Sequence, residues 1–138
     1  MMKKDWMYRR GDIYYADLNP VCGLEQGGKR PVLVIQNDMG NAHAPTLIVA
    51  TITTKPDKRK FPIHYLVRDN AAFDVPSTIM LEQLRTIDKS RVLGYLGKIA
   101  PREMVNIDRA LMLSLSLQQY GGTVVKYIVK DEGGVHNV

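Results

Sequence analysis

The sequence predicts a mainly β domain of the α+β class, a small barrel or strongly bent antiparallel sheet covered by a single C-terminal helix. Three observations predict it. Short β-branched and aromatic runs recur up to residue 99 with turn residues between them. The hydrophobic period changes once, after Ala100, from alternation to the helical spacing. The 138 residues suit one domain, enough chain to bury about two-thirds of its surface and too little for two independent cores.

The elements follow in order. Strands are expected over residues 12–18, 31–36, 47–53, 62–67, 77–81 and 91–99. Turn chemistry separates them at Asn19-Pro20, at Gly27-Gly28, and over 38–45, 55–60, 69–76 and 88–90. Strands this short and closely spaced favour a sheet that curls, because curling shields its unpaired edges. Pro101 then suits a helix's first turn, where its missing N–H costs nothing, and Met104, Ile107, Leu111 and Leu115 recur on one stripe. One amphipathic helix over 101–119 is expected to cover an open barrel end, with Gly121-Gly122 ending it. Residues 123–130 (TVVKYIVK) read as a further strand, and 131–138 as a tail that frays. The domain proper is thus 1–120 and the extension 121–138.

Hydrophobic residues at 45% and charged residues at 24% argue against a disordered, collagen-like or coiled-coil chain. Nineteen Lys and Arg against fourteen Asp and Glu leave a formal charge of +5, which suits a polyanionic partner without requiring one. The single cysteine, Cys22, has no partner for an internal disulfide, so a reducing, cytoplasmic location is expected. Lys3, Lys4, Arg9 and Arg10 are followed by no apolar h-region, and no apolar run approaches a membrane span. With no CxxC or HxxxH spacing and with His43, His64 and His136 scattered, neither a metal site nor a cofactor is expected.

Four segments and two histidines hold residues suited to chemistry. In Gly23-Leu-Glu-Gln-Gly-Gly-Lys-Arg-Pro31 the glycines Gly27 and Gly28 allow close approach of a ligand and movement of the loop, and Arg30 offers a planar fork for phosphate oxygens. A solvated hairpin loop is the bland reading, and neither P-loop nor dinucleotide spacing is present. Thr51 and Thr53 share one strand face, so two hydroxyls can line one groove, although threonine is also simply a good strand residue. Lys55, Lys58, Arg59 and Lys60 beside Phe61 can bind phosphate and stack a base, or merely keep a loop solvated. In Leu81-Glu-Gln-Leu-Arg-Thr-Ile-Asp88, a carboxylate and Arg85 can pair while Gln83 reads a base edge. His43 and His64 suit acid–base work in metal-free RNA cleavage, but no spacing brings them together.

Arg10-Gly-Asp-Ile-Tyr-Tyr-Ala-Asp-Leu-Asn-Pro20, the Gly23 to Ile35 segment, Thr53 at a strand end and Leu81 to Asp88 together resemble the MazF/PemK family of toxin endoribonucleases, closest to its chromosomal Gram-positive branch. The likeness runs from about residue 8 to 117, with the motifs in the family's order and near its spacing. It implies an SH3-like β-barrel with a C-terminal helix, a homodimer, and metal-free cleavage of single-stranded RNA within short sequences. The implied products are a 2′,3′-cyclic phosphate and a 5′-hydroxyl. It further implies a cognate MazE-like antitoxin whose acidic C-terminal segment blocks the RNA groove. By motif position Arg30 and Thr53 match the residues credited with catalysis, and Glu25 matches an acid of the same loop. Gln83, Arg85 and Phe61 fall where relatives contact RNA, with Gln26, Gly27, Gly28 and Lys60 alongside.

Chemistry narrows these roles. Arginine keeps its proton in proteins, so Arg30 is expected to stabilise the phosphorane, Thr53 to hold a non-bridging oxygen, and Glu25 to take the 2′-OH proton. Leu24, Met80 and Glu82 stand where a plasmid-borne branch has histidine, arginine and aspartate, so that branch's acid and base do not transfer. Two rival readings are a non-catalytic nucleic-acid- or peptide-binding module on the same barrel and an oligomerisation domain built on the 123–130 strand.

Overall fold

The computed structural model describes residues 2–55, 61–117, 128–131 and 134–137. Six strands, β1 (Asp12–Asp17), β2 (Lys29–Val34), β3 (Thr46–Thr53), β4 (His64–Val67), β5 (Ser77–Asp88) and β6 (Val92–Lys98), form one antiparallel sheet in the order β4-β5-β3-β2-β1-β6. A short helix α1 (Asp38–His43) joins β2 to β3, a 3₁₀ turn over Lys89–Arg91 precedes β6, and helix α2 (Pro101–Ser114) follows it.

Both sheet faces are covered, which is why the strand sequences read as near-continuous apolar runs. Ile13, Leu33, Ala50, Ile52, Ile79 and Leu81 face α2 and pack with Ile107 and Ala110. Tyr14, Ala16, Val32, Val34, Leu47 and Val49 point the other way, under the N-terminal arm residues Met2, Trp6 and Tyr8. Neighbours Ile13 and Tyr14 therefore serve opposite cores, as the period of two requires. The arm is held by polar contacts: Trp6 Nε1 donates to Tyr14 Oη at 2.8 Å, and Tyr14 Oη donates to Asp12 Oδ2 at 2.7 Å. Arg10 ties β1 to α2 through a bidentate pair with Asp108, 2.7 Å at its shorter arm.

The sheet bends but does not close, so the expected barrel is an open one: β4 and β6 lie at its two ends and do not pair. β4 has four residues, and the β1–β6 ladder shifts register twice, after Ile13 and after Tyr15. Short and bulged edges resist pairing. β5 runs seven residues past its expected end at Leu81, because a bulge lets it bend and continue along β3. α1, read from sequence as a turn, is nucleated by Asn37, whose side chain accepts from Gly40 N at 2.8 Å.

α2 ends at Ser114, not at 119. Ser116 takes φ 57°, Ser116 N donates to Leu113 O at 3.2 Å and Leu117 N to Met112 O at 2.7 Å, a Schellman arrangement built without glycine. Leu115 falls on the cap and is exposed, not buried in the expected stripe. In the extension, β7 (Ile128–Asp131) and β8 (Gly134–Asn137) pair antiparallel. The start of the expected 123–130 strand lies outside the described residues.

Candidate active site

Register brings the site residues together. The β2–β3 ladder pairs Val32 with Thr51, and the next residues on that face are Arg30 on β2 and Thr53 at the end of β3. On the other side of β3, Thr53 pairs with Thr78 and Thr51 with Met80, and Met80 pairs in turn with His64 on β4. Directly opposed residues of an antiparallel sheet project to one side. A single face therefore carries Arg30, Thr53, Thr51, Thr78, Met80 and His64, hydroxyls in the middle and cationic or titratable groups at the sides.

Arg30 is aimed by its own loop. Its Nε donates to Gly27 O at 2.8 Å, and no bond of either Nη occurs among the described residues, which leaves both amino groups for an anion. The loop is folded back by Leu18 N donating to Gly28 O and Gly28 N to Asn19 Oδ1, both 2.9 Å. Gly28 adopts φ 77°, open to glycine. A Cβ on Gly27 would lie 2.7 Å from Val21 Cγ2 and 3.0 Å from Asn19 Oδ1, so glycine is required there by contact. Thr53 Oγ1 accepts from Lys55 N at 3.2 Å, and its hydroxyl proton stays available to a ligand.

Glu25 is placed differently from Arg30 and Thr53. It is exposed, its Oε1 accepts from Cys22 N at 3.2 Å, and its own N–H donates to Cys22 O at 3.2 Å, so its hydrogen bonds stay within its turn. Gln26 is half-buried in the same loop. Lys60 lies outside the described residues, while Phe61, exposed at the end of that segment, sets its ring edge-on to His64 with centroids 5.2 Å apart. Gln83 sits in the β5 bulge: the ladder jumps from Ala50↔Leu84 to Thr51↔Met80, making Leu81, Glu82 and Gln83 the extra residues.

Among the described residues, Arg85 forms no ion pair with a carboxylate. Arg85 Nη1 donates to Leu18 O, which pins the start of the Gly-rich loop. Glu82 Oε1 meets His64 Nε2 at 2.8 Å, and Asp88 caps the 3₁₀ turn by accepting from Ser90 N at 2.8 Å. Its hydrogen bonds from Ser90 hold the Asp88 carboxyl below its ordinary value. His43 stands on α1 and His64 on β4, elements that are not neighbours in the sheet. The sequence reading passed over the His64–Glu82 pair and Thr78. Both depend on cross-strand register, which no local pattern reveals. Among the described residues, no three His, Cys, Asp or Glu side chains converge as metal ligands would.

The face thus carries a guanidinium whose amino groups make no bond among the described residues and a threonine hydroxyl at the end of the neighbouring strand, groups suited to an oxyanion on phosphorus. Residues 9–115 match the family described as PemK-like, MazF-like toxin of type II toxin-antitoxin system. The chain is 48% identical over 115 residues to Endoribonuclease MazF of Staphylococcus epidermidis, an alignment covering 83% of this chain and 96% of that one. Its fold is shared by MazF from Deinococcus radiodurans (TM-score 0.71, 20% identity, 81% of this chain and 99% of that one). A mycobacterial endoribonuclease solved with its cognate antitoxin shares it too (TM-score 0.69, 24% identity, 82% and 99%). With the family matched over most of its length, this chain belongs to the PemK-like, MazF-like toxins of type II toxin-antitoxin systems.

Proposed function

We propose that the chain is a metal-independent endoribonuclease that cuts single-stranded mRNA within short sequences and acts in the cytoplasm as a homodimeric toxin. The carrying observation is the juxtaposition of Arg30 and Thr53 on one sheet face, with the Arg30 guanidinium oriented by Gly27 O at 2.8 Å. The RNA's own 2′-OH attacks the adjacent phosphorus. The bond to the 5′-oxygen breaks, leaving a 2′,3′-cyclic phosphate and, once the leaving oxygen takes a proton, a 5′-hydroxyl. Arg30 neutralises the developing phosphorane charge, Thr53 donates to a non-bridging oxygen, and Glu25 accepts the 2′-OH proton once its loop turns the carboxylate from Cys22 N toward the substrate.

Phe61, Gln83, Gln26 and the basic residues beside them contact the flanking nucleotides. Arg85, bonded to Leu18 O, supports this surface from behind the loop. A cognate antitoxin would lay an acidic, extended C-terminal segment across the same cations and so exclude RNA. The mycobacterial neighbour solved with its antitoxin and the Deinococcus MazE-MazF structures lend support by fold. No helix among the described residues is long and apolar enough to cross a membrane.

The test is to incubate wild type and Arg30→Ala with a long single-stranded RNA in EDTA and to map the cut sites and their ends. Discrete cuts ending in cyclic phosphate, lost in Arg30→Ala, are expected. Binding without cutting by either protein overturns the proposal in favour of a non-catalytic module.

A further inference from the structure

We propose that Thr78 and Thr51 also serve the cleavage reaction, forming with Thr53 a floor of hydroxyls on which a non-bridging oxygen of the scissile phosphate rests. The inference builds on the reading in which Arg30 and Thr53 hold that phosphate.

Thr78 pairs directly with Thr53. Cβ atoms of such a pair stand about 5 Å apart, so both hydroxyls can reach one oxygen at about 2.8 Å each. Thr78 is 9% exposed and its hydroxyl makes no hydrogen bond among the described residues. Thr51 is the next residue on the same face of β3, 1% exposed, and its Oγ1 is buried without any hydrogen-bond partner among the described residues. An unsatisfied buried hydroxyl destabilises the fold.

Thr51's cross-strand neighbours are Val32 and Met80, an apolar setting in which valine would fill nearly the same space at no such cost. Keeping a hydroxyl there stores a donor for an acceptor that arrives with substrate. Hydroxyl donors beside a guanidinium bond most strongly to a phosphate oxygen as its negative charge grows. The floor therefore favours the phosphorane, whose non-bridging oxygens gain charge during attack.

Thr51→Val, Thr78→Val and the matching serine variants, with Arg30→Ala as control, would be assayed on a short RNA carrying a cut site mapped for wild type. The same RNA would also be used with a single phosphorothioate of each configuration at the scissile position. Each valine variant is expected to lose roughly 100- to 1,000-fold in kcat with KM within about threefold, the cost of one oxyanion donor. Serine is expected to restore most of it. Wild type is expected to discriminate between the two phosphorothioates, and Thr78→Val to lose that discrimination because sulfur no longer replaces a bonded oxygen. Thr51→Val is expected to unfold at an equal or higher Tm.

Either valine variant cutting at the wild-type rate overturns the role of its hydroxyl. Slower cutting by Thr78→Val with unchanged phosphorothioate discrimination, or by Thr51→Val with a lower Tm, shows a structural role and overturns it too. If Arg30→Ala cuts normally, the underlying reading fails. If Arg30→Ala is dead while both valine variants are normal, this inference alone falls.

Discussion

Removing one oxygen from Tyr14 tests how the N-terminal arm is attached. Tyr14 is fully buried, and its hydroxyl accepts from Trp6 Nε1 at 2.8 Å while donating to Asp12 Oδ2 at 2.7 Å. Asp12, itself buried, receives one further bond, from Arg9 N at 2.9 Å. Tyr14→Phe keeps the ring contacts with Trp6, Tyr8 and Tyr95 but strands an indole donor and part of a buried carboxylate. A bond to a charged acceptor is worth about 1.5–3 kcal/mol and one between neutral groups about 1 kcal/mol. Trp6 is only half-buried, so water compensates part of its loss. The expected destabilisation is about 2–3 kcal/mol, or roughly 8–12 °C in Tm for a domain of this size. Trp6 is the only tryptophan, so its fluorescence reports the arm directly during thermal and urea unfolding. In a double-mutant cycle with Trp6→Phe, the coupling energy should be about 1 kcal/mol. A Tyr14→Phe protein within about 0.5 kcal/mol of wild type would refute the argument, since surface-like substitutions fall in that range.

Three other expectations are independent of the arm. Gly27→Ala drives a methyl against Val21 and Asn19, displacing the carbonyl that aims Arg30; cleavage should fall about 10- to 100-fold in single-turnover assays while stability changes by less than about 1 kcal/mol. Ser116→Gly relieves a left-handed residue at φ 57° and should raise stability by about 1 kcal/mol in urea titration, whereas Ser116→Val should lower it. The Asp38 carboxyl lies below its ordinary value of 3.8, chiefly through the hydrogen bond from Arg10 N at 2.7 Å. Its contribution is therefore present above the unfolded value and lost as pH falls through the lower folded one. Asp38→Asn should be less stable than wild type at pH 7, with the difference shrinking in acid-unfolding curves as pH falls from the ordinary carboxylate value through the lower folded one.

The strands were legible because both faces of the sheet are buried, so apolar runs such as Leu47–Thr53 stand out against polar loops. Their ends were less so. β5 was cut short at Leu81 because Glu82 and Gln83 break the apolar run, yet they break it as a bulge and the strand resumes at Leu84. α2 was drawn to 119 because glycine was the expected stop, while Ser116 adopted the left-handed conformation instead. At the site, Arg30 and Thr53 were recognisable by motif, but their meeting with Thr78 and Thr51 depends on which strands lie side by side. Glu25 matches by motif an acid of the loop and by chemistry suits the base, while the resting structure turns it to Cys22 N, a contact three residues away that composition cannot foresee.

Arg30 answers to a carbonyl, and every amino acid supplies one. Side chains elsewhere in the Gly-rich loop, such as Leu24 at 98% exposure, can change what the loop offers a passing nucleotide while the bond that orients the guanidinium stays as it is. Gly27 is the exception, since its missing side chain makes room for Val21 and Asn19. On the proposed reading of Arg30, target preference and cutting power are written in different parts of one loop, and a lineage can revise the first without surrendering the second.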